Sequence, residues 1–380
     1  MSHEILVVGA GFAGACYART LAEANYKVQV IDQRDHIGGN AFDYVDGNGI
    51  RRHRYGPHLF HTNNERVVEW LAQFGAWIPY LHKVRAQLST GDLVPLPINL
   101  ETINVFFGLN LTSEEQVQQH LRSIAAKIDT PRNAAEHLYS TIGIKLADTF
   151  FRPYTKKMWA MDLEEMSVDV VKRISLRFDK SELYFPNDKY QIMPRDGYTA
   201  IFDRIFDHPN ITVSLSTPFS KGVESNFHYI FNSMPIDMYF DYNFGELPYR
   251  SIKFHNETSN AVDNSEWAVT NFTDSGPMTR RTAWHLLPHH RVTDTGKVTY
   301  TTEEPCDYRE NSFERYYPVK TADGKFEAIY ELYRRASEDL PNMSFIGRCG
   351  TYQYLDMHQV INQSLAGANR WLQTDIDSKI

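Results

Sequence analysis

The sequence predicts an α/β protein: a parallel-sheet domain split along the chain, an inserted helical subdomain and an antiparallel β-sheet subdomain. Three observations predict it. A strand–turn–helix–strand pattern opens the chain, helical periodicity fills Asn63 to Trp159, and strand patterns then return until a last strand and helix close the chain. At 380 residues the chain exceeds what one hydrophobic core organises, so two or three subdomains are expected.

The opening element reads "EILVVGAGFAGACYARTLAEANYKVQVIDQR". Ile5 to Val8 is a continuous apolar run, as a strand buried on both faces requires. Gly9, Gly11 and Gly14 form G-x-G-x-x-G, with Phe12 inside the turn. Ala15 to Glu23 reads as a helix, and Lys27 to Ile31 as a second strand ending at Asp32. This order is the Rossmann-like arrangement for a dinucleotide. Gly9 permits the tight turn. Gly11 admits a pyrophosphate to a helix N-terminus, where free N–H groups and the dipole favour anions. Gly14 lets the helix lie close to the strand, and Asp32 accepts from ribose hydroxyls.

"HIGGNAF" follows, with Gly38, Gly39 and Asn40 in a second backbone-exposing turn. Alone it reads either as a simple β-turn or as a second approach to a flavin dinucleotide. Placed directly after this unit it favours FAD, and the acid at Asp32 disfavours NADP.

In the middle block, "TSEEQVQQHLRSIAAKI" opens with an expected capping box from Thr112 to Glu115. "RNAAEHLYSTIGIKLADTFF" carries apolar residues at helical spacing. "NITVSL" and "HYIFNS" resemble further strands of the first domain, whereas "RSIKFH", "WAVTNF" and "KVTYTTE" alternate as an antiparallel sheet does. "MSFIGR" is one more buried strand. The boundaries expected are 1–62, 190–245 and 340–380 for the FAD domain and 63–160 for the helical subdomain. Segments 161–189 and 246–339 form the substrate-binding sheet region, with a mobile lid at 166–180.

Composition excludes several function classes. With 47 acidic and 39 basic residues the formal net charge is −8, which argues against nucleic-acid binding. Cys16, Cys306 and Cys349 are too few and too dispersed for a disulfide framework or a zinc pattern, so a reducing cytoplasm is expected. The longest apolar stretch, from Ile5 to Ala18, is broken by glycines and too short to span a bilayer, so no membrane insertion is expected. Aromatics at 13% serve either a large core or a stacking site.

Several polar clusters could carry chemistry. "RRHRYGPHLFHT" brings His58 and His61, three residues apart. No third metal ligand stands at recognisable spacing, so no metal is expected. Either the histidines are structural or one lies near a flavin ring. "FFRPYTKKMW" offers Phe150, Tyr154, Thr155 and Trp159, as core or as a base pocket. Arg173 and Arg177, Asn271, Arg280 and Arg281, and Tyr316 and Tyr317 occupy other turn-rich stretches. Arginine pairs bind diphosphates through forked, charge-assisted bonds. No nucleophile elbow and no Walker loop is present, so the cofactor is expected to carry the difficult step.

These motifs line up along nearly the whole chain with one family. "GAGFAG", "HIGGNAF", "YGPHLFHT", "YTKKMW", "KRISLRF", "PIDMYFDYNFGELPYRS", "NFTD", "YYPV" and "YQYLDMHQVI" resemble the bacterial UDP-galactopyranose mutases. The resemblance implies a flavoenzyme without net redox change. It would interconvert pyranose and furanose rings of a UDP-linked hexose, with N5 of reduced FAD attacking the anomeric carbon to give a covalent flavin–sugar intermediate.

Carried over by position, Arg173 and Arg280 grip the diphosphate, and Tyr184, Tyr317 and Tyr354 add hydrogen bonds. Tyr154 stacks on uracil, with Phe150, Thr155, Trp159 and Asn271 around it and Phe185 beside Tyr184. His61 lies at the flavin ring. His58, Arg348, Asp356 and Met357 join the cofactor set. A homodimer is implied as well. Ala283 and Trp284 stand where the family usually has a glutamate and a histidine, Leu355 where a second tyrosine is common, and Asp196 where glycine is frequent. These departures leave the sugar open. The alternatives are a sister mutase on an N-acetylated or 6-deoxy hexose, a flavin oxidase or dehydrogenase, and a flavin-binding protein without catalysis.

Overall fold

The computed structural model describes residues 4–172, 176–260 and 266–377. Its first layer is a five-stranded parallel sheet. The order across it is Ile211–Ser214, Lys27–Ile31, Glu4–Val8, Tyr229–Asn232 and Met343–Phe345. The opening strand is central, which explains its unbroken apolar run. Ile5 and Val7 face one core with Phe12, Phe202 and Leu365, while Leu6 and Val8 face another with Ile230 and Met343. The final strand and the helix Met357–Asp377 bring the end of the chain back to this sheet, beside the helix Phe12–Glu23.

The second layer is a seven-stranded sheet, ordered Tyr317–Pro318, Tyr249–Ser259, Val298–Asp307, Arg280–Ala283, Val269–Phe272, Val84–Gln87 and Leu93–Leu96. All its pairings are antiparallel except Val269–Phe272 with Val84–Gln87. The last two strands lie inside 63–160, the segment expected to be helical. They were illegible because four residues carrying Arg85, or Pro95, show no clean alternation. Trp77–Pro79 is a further strand there, joined through Tyr190–Pro194 to Phe60–Thr62.

The remainder of that insertion is helical, with Leu100, Ile103, Val117, Leu121, Leu138 and Ile142 in one core. The cap of the helix Glu114–Ile124 is Ser113, one residue after the expected Thr112. Ser113 Oγ accepts from Gln116 N at 3.4 Å, and Gln116 Oε1 accepts from Ser113 N at 3.4 Å and Thr112 N at 2.7 Å. Glutamine and glutamate at adjacent positions make both registers readable. The centre of the expected lid, residues 173–175 with Arg173, lies outside the described residues. Its flanks are tied down: Met166 and Val171 are buried, and Arg177 N donates to Ile98 O at 2.9 Å.

A chain of neutral histidines links the loop at His290 to the strand Arg51–His53 and on to His58. His290 Nδ1 donates to Pro288 O at 2.9 Å, so its Nε2 accepts from His53 Nε2 at 3.2 Å. His53 Nδ1 then accepts from the His58 amide at 2.9 Å, and His58 Nδ1 donates to Gly56 O at 2.8 Å. Trp284, fully buried, stacks over His290 with centroids 6.1 Å apart.

Burial pushes His58 and His290 down to about 4 and His53 well below its ordinary value. On unfolding each returns to about 6.5 and binds protons that the folded chain refuses. Stability is therefore full above about pH 6.5 and is lost as pH falls from there toward about 4. The ceiling is on the order of 3 kcal/mol each for His58 and His290. Urea midpoints should fall steeply across that window, and His290→Asn should be less stable at neutral pH yet show a shallower fall.

Candidate active site

Two glycine turns build the first half of the site. Gly39 has φ +54°, and a Cβ there would lie 2.9 Å from Gly11 Cα. The turn at Gly39 therefore tolerates no side chain against Gly11, whereas a Cβ at Gly11 would lie 3.5 Å from Gly39 Cα. A Cβ at Gly14 would sit 1.9 Å from Gly9 O, so this glycine serves helix–strand contact and not the cavity. The helix Phe12–Glu23 begins with no side-chain cap and no acid in its first turn, leaving its amides open to an anion. Asp32 is buried, with Oδ2 accepting from Ala10 N at 2.8 Å and Oδ1 from Arg34 N at 2.9 Å.

A cavity of ≈ 380 Å³ runs along these turns. Of the expected cofactor residues, Gly9, Gly11, Phe12, Asp32, Gly38, Gly39, Asn40, His58, Arg348 and Met357 line it; Gly14 and Asp356 do not. The sequence reading missed Arg34, which lies 4.3 Å over the Tyr55 ring, bonds Asn40 Oδ1 at 3.0 Å and pairs with Glu314.

The second half is one face of the seven-stranded sheet. Register aligns Phe254, Glu303, Arg280, Asn271 and Ala86 in a single row across five strands. Arg280 Nε donates to Glu303 Oε1 at 2.7 Å. Burial opposes the Arg280 charge, but Glu303, Tyr154 and Tyr317 outweigh it and raise the pKa further. Asn271 Oδ1 is buried without a hydrogen-bond partner, so an acceptor stands ready for a ligand donor. Arg281 pairs with Thr302 and so faces the opposite side, where it lies 3.7 Å over Tyr300.

Over this row lies the helix Arg152–Trp159, preceded by a π-helical turn at Ala147–Phe151 that includes Phe150. Two half-buried cations dock the helix. Lys157 Nζ reaches Met278 O at 2.9 Å and Asp274 Oδ1 at 3.1 Å, and Arg250 Nε donates to Met158 O at 2.8 Å. Tyr154 and Trp159 consequently meet Tyr317 in one aromatic cluster, and Thr155 is buried. Tyr317 stacks on Tyr354 at 5.5 Å and 19°. Burial, then Tyr354, pushes Tyr317 up to about 12, so its hydroxyl stays a neutral donor. Arg348 lies over both rings, at 5.5 and 5.2 Å.

His61 stacks on Phe185 at 3.5 Å and 9°, and its Nδ1 is 2.6 Å from Asp188 Oδ2. Tyr184 lies edge-on to Phe185 and donates its amide to His82 O at 2.9 Å. His82 is a further residue that spacing did not reveal. Burial, then Arg280 and His61, lowers it to about 3. The third partner expected to be missing for a metal comes from the far end of the chain. His61, Asp356 and His358 bring ligand atoms within 4.8 Å of one another, and His58 is not among them. Sequence spacing could not show this, because about three hundred residues separate the partners.

Comparison with known proteins agrees with this geometry. The family model described as UDP-galactopyranose mutase matches residues 149–354, and a NAD(P)-binding Rossmann-like domain matches residues 7–74. A probable UDP-galactopyranose mutase of Klebsiella pneumoniae is 36% identical, over 98% of this chain and 95% of its own length. The dTDP-fucopyranose mutase of Escherichia coli is 34% identical, over 98% and 99%. The crystal structure of a reduced UDP-galactopyranose mutase superposes with TM-score 0.77 over 98% of this chain and 94% of its own, at 17% identity, a likeness of fold. On the family match and two relatives above 30% identity along almost the whole chain, this protein belongs to the UDP-galactopyranose mutase family.

Proposed function

We propose that this protein interconverts UDP-galactopyranose and UDP-galactofuranose with bound, reduced FAD and no net redox change. One observation carries the reading. Arg348 lines the dinucleotide cavity and also lies over the Tyr317–Tyr354 pair, so cofactor and substrate regions are one continuous site. FAD fits the residues present: the Gly11–Gly39 turns would leave backbone alone at its pyrophosphate, and the uncapped helix N-terminus would hold that anion. When bound, the reduced flavin supplies the nucleophile for the anomeric carbon.

The chain's own residues supply the rest. Arg280 holds the departing diphosphate, with Tyr317 and Tyr354 donating hydrogen bonds; Arg173 is assigned there by sequence. Tyr154, Thr155, Trp159, Phe150 and Asn271 are assigned to the base. Phe185 orients His61 by stacking, and Asp188 fixes its tautomer. The surrounding aromatic rings exclude water from the reacting carbon. Cys16, Cys306 and Cys349 are all free, which supports a reducing compartment. Among the described residues no helix is long and apolar enough to cross a membrane.

A second reading is a sister mutase on another nucleotide sugar. The near-equal similarity to the dTDP-fucopyranose mutase favours keeping it. A panel of UDP-hexoses and dTDP-6-deoxyhexoses, offered to dithionite-reduced enzyme and read by product chromatography, decides between them. Furanose product from UDP-galactose is expected. Turnover of only the deoxy sugars selects the second reading, and equal rates without reductant exclude the flavin nucleophile.

Gly39→Val should yield protein without bound flavin, because its Cβ collides with the Gly11 turn; the visible absorption of the purified protein checks this. Arg280→Ala should lower kcat/KM about 30- to 1000-fold, on the order of 2–4 kcal/mol. Arg281→Ala, on the far face of the sheet, should lower it less than about threefold. The reverse ranking would assign the diphosphate contact to Arg281.

A further inference from the structure

Glu303 is a carboxylate buried inside a sheet. It sits mid-strand in Val298–Asp307, 1% exposed. A carboxylate at that depth is costly unless a cation answers it. Two parts of the chain converge on it, and one supplies the cation. Register sets Arg280 directly opposite, with Nε 2.7 Å from Glu303 Oε1. Thr279 N donates to Glu303 O at 2.9 Å, which fixes that register. A Cβ at Gly56 would lie 3.1 Å from Glu303 Oε1, so the glycine of "YGPH" leaves the carboxylate its space.

We propose that Glu303 is a positioning residue that sets both the direction and the effective charge of Arg280, so that the site releases and recaptures a nucleoside diphosphate without trapping it. The proposal rests on the mutase reading above. In that reaction the C–O bond to the anomeric carbon breaks with its electron pair on the diphosphate, and the same pair re-forms the bond once the ring has reclosed. The diphosphate is both leaving group and returning nucleophile. An unpaired arginine would bind the departed anion most tightly and deepen the well from which it must return. Paired with Glu303, the Arg280 unit is neutral overall. Its Nε edge is taken, and the far edge of the guanidinium remains to hold the phosphate oxygens in one orientation.

Glu303→Gln keeps an acceptor for the Nε–H and removes the charge. Titration calorimetry of the FAD-loaded enzyme with UDP and with dTDP reads the effect directly. The variant should bind whichever nucleotide the wild type binds roughly three- to tenfold more tightly. KM should fall and kcat should fall further. A residue that only stabilised the sheet would leave that affinity equal or weaker. That result, in a variant that melts like wild type, would overturn the proposal. Glu303→Asp provides a second arm that retains the charge while shortening the reach. It should lower kcat with no tightening, and tightening there would also overturn the charge argument. Wild-type enzyme that binds neither nucleotide would instead overturn the mutase reading.

Discussion

Two turns of backbone, at Gly11 and Gly39, approach so closely that Gly39 cannot carry a side chain, and the nucleotide half of the fold hangs from that approach. A Cβ on Gly39 would reach within 2.9 Å of Gly11 Cα. The approach aims an uncapped helix N-terminus into the cavity and sets the entry of the chain into its histidine-rich stretch. The central strand at Glu4–Val8 holds one turn, and the strand Lys27–Ile31 leads into the other. The terminal strand, two places from the central one, then returns Arg348 and Met357 to the same cavity.

The second half of the site is governed by register. A β-sheet alternates its faces, so a single row selects which arginine faces the helix Arg152–Trp159. Arg280 is on the row with Glu303 and Asn271, while Arg281 is on the other face over Tyr300. Above the row, the helix Arg152–Trp159 is held not by apolar contact alone but by Lys157 and Arg250, which bond backbone carbonyls of the hairpin and of the helix end. Such cations fix direction as well as depth, which a stacking pocket needs.

Trp284, one of the residues read from sequence as a departure from the family pattern, has a structural use. Trp284 is buried against His290, whose ring closes the neutral chain through His53 to His58. The segment therefore supports His58, which lines the cavity along the glycine turns, from behind.

Sequence alone determined the nucleotide-binding half, because its physics is local. Gly9, Gly11, Gly14, Asp32, Gly38 and Gly39 lie within one βαβ unit and the turn after it, where spacing and backbone freedom are enough. Strand limits such as Lys27–Ile31 were equally legible, since apolar runs bounded by turns announce themselves. The strands at Val84–Gln87 and Leu93–Leu96 were not, because four residues with an arginine or a proline among them have no period of their own. Tertiary structure alone decided the partners. Glu303 against Arg280, Asp188 against His61, and Asp356 with His358 beside His61 are pairings across 23, 127 and nearly 300 residues. No local pattern encodes such contacts. They follow from sheet register and from the return of the chain end, which are properties of the folded whole.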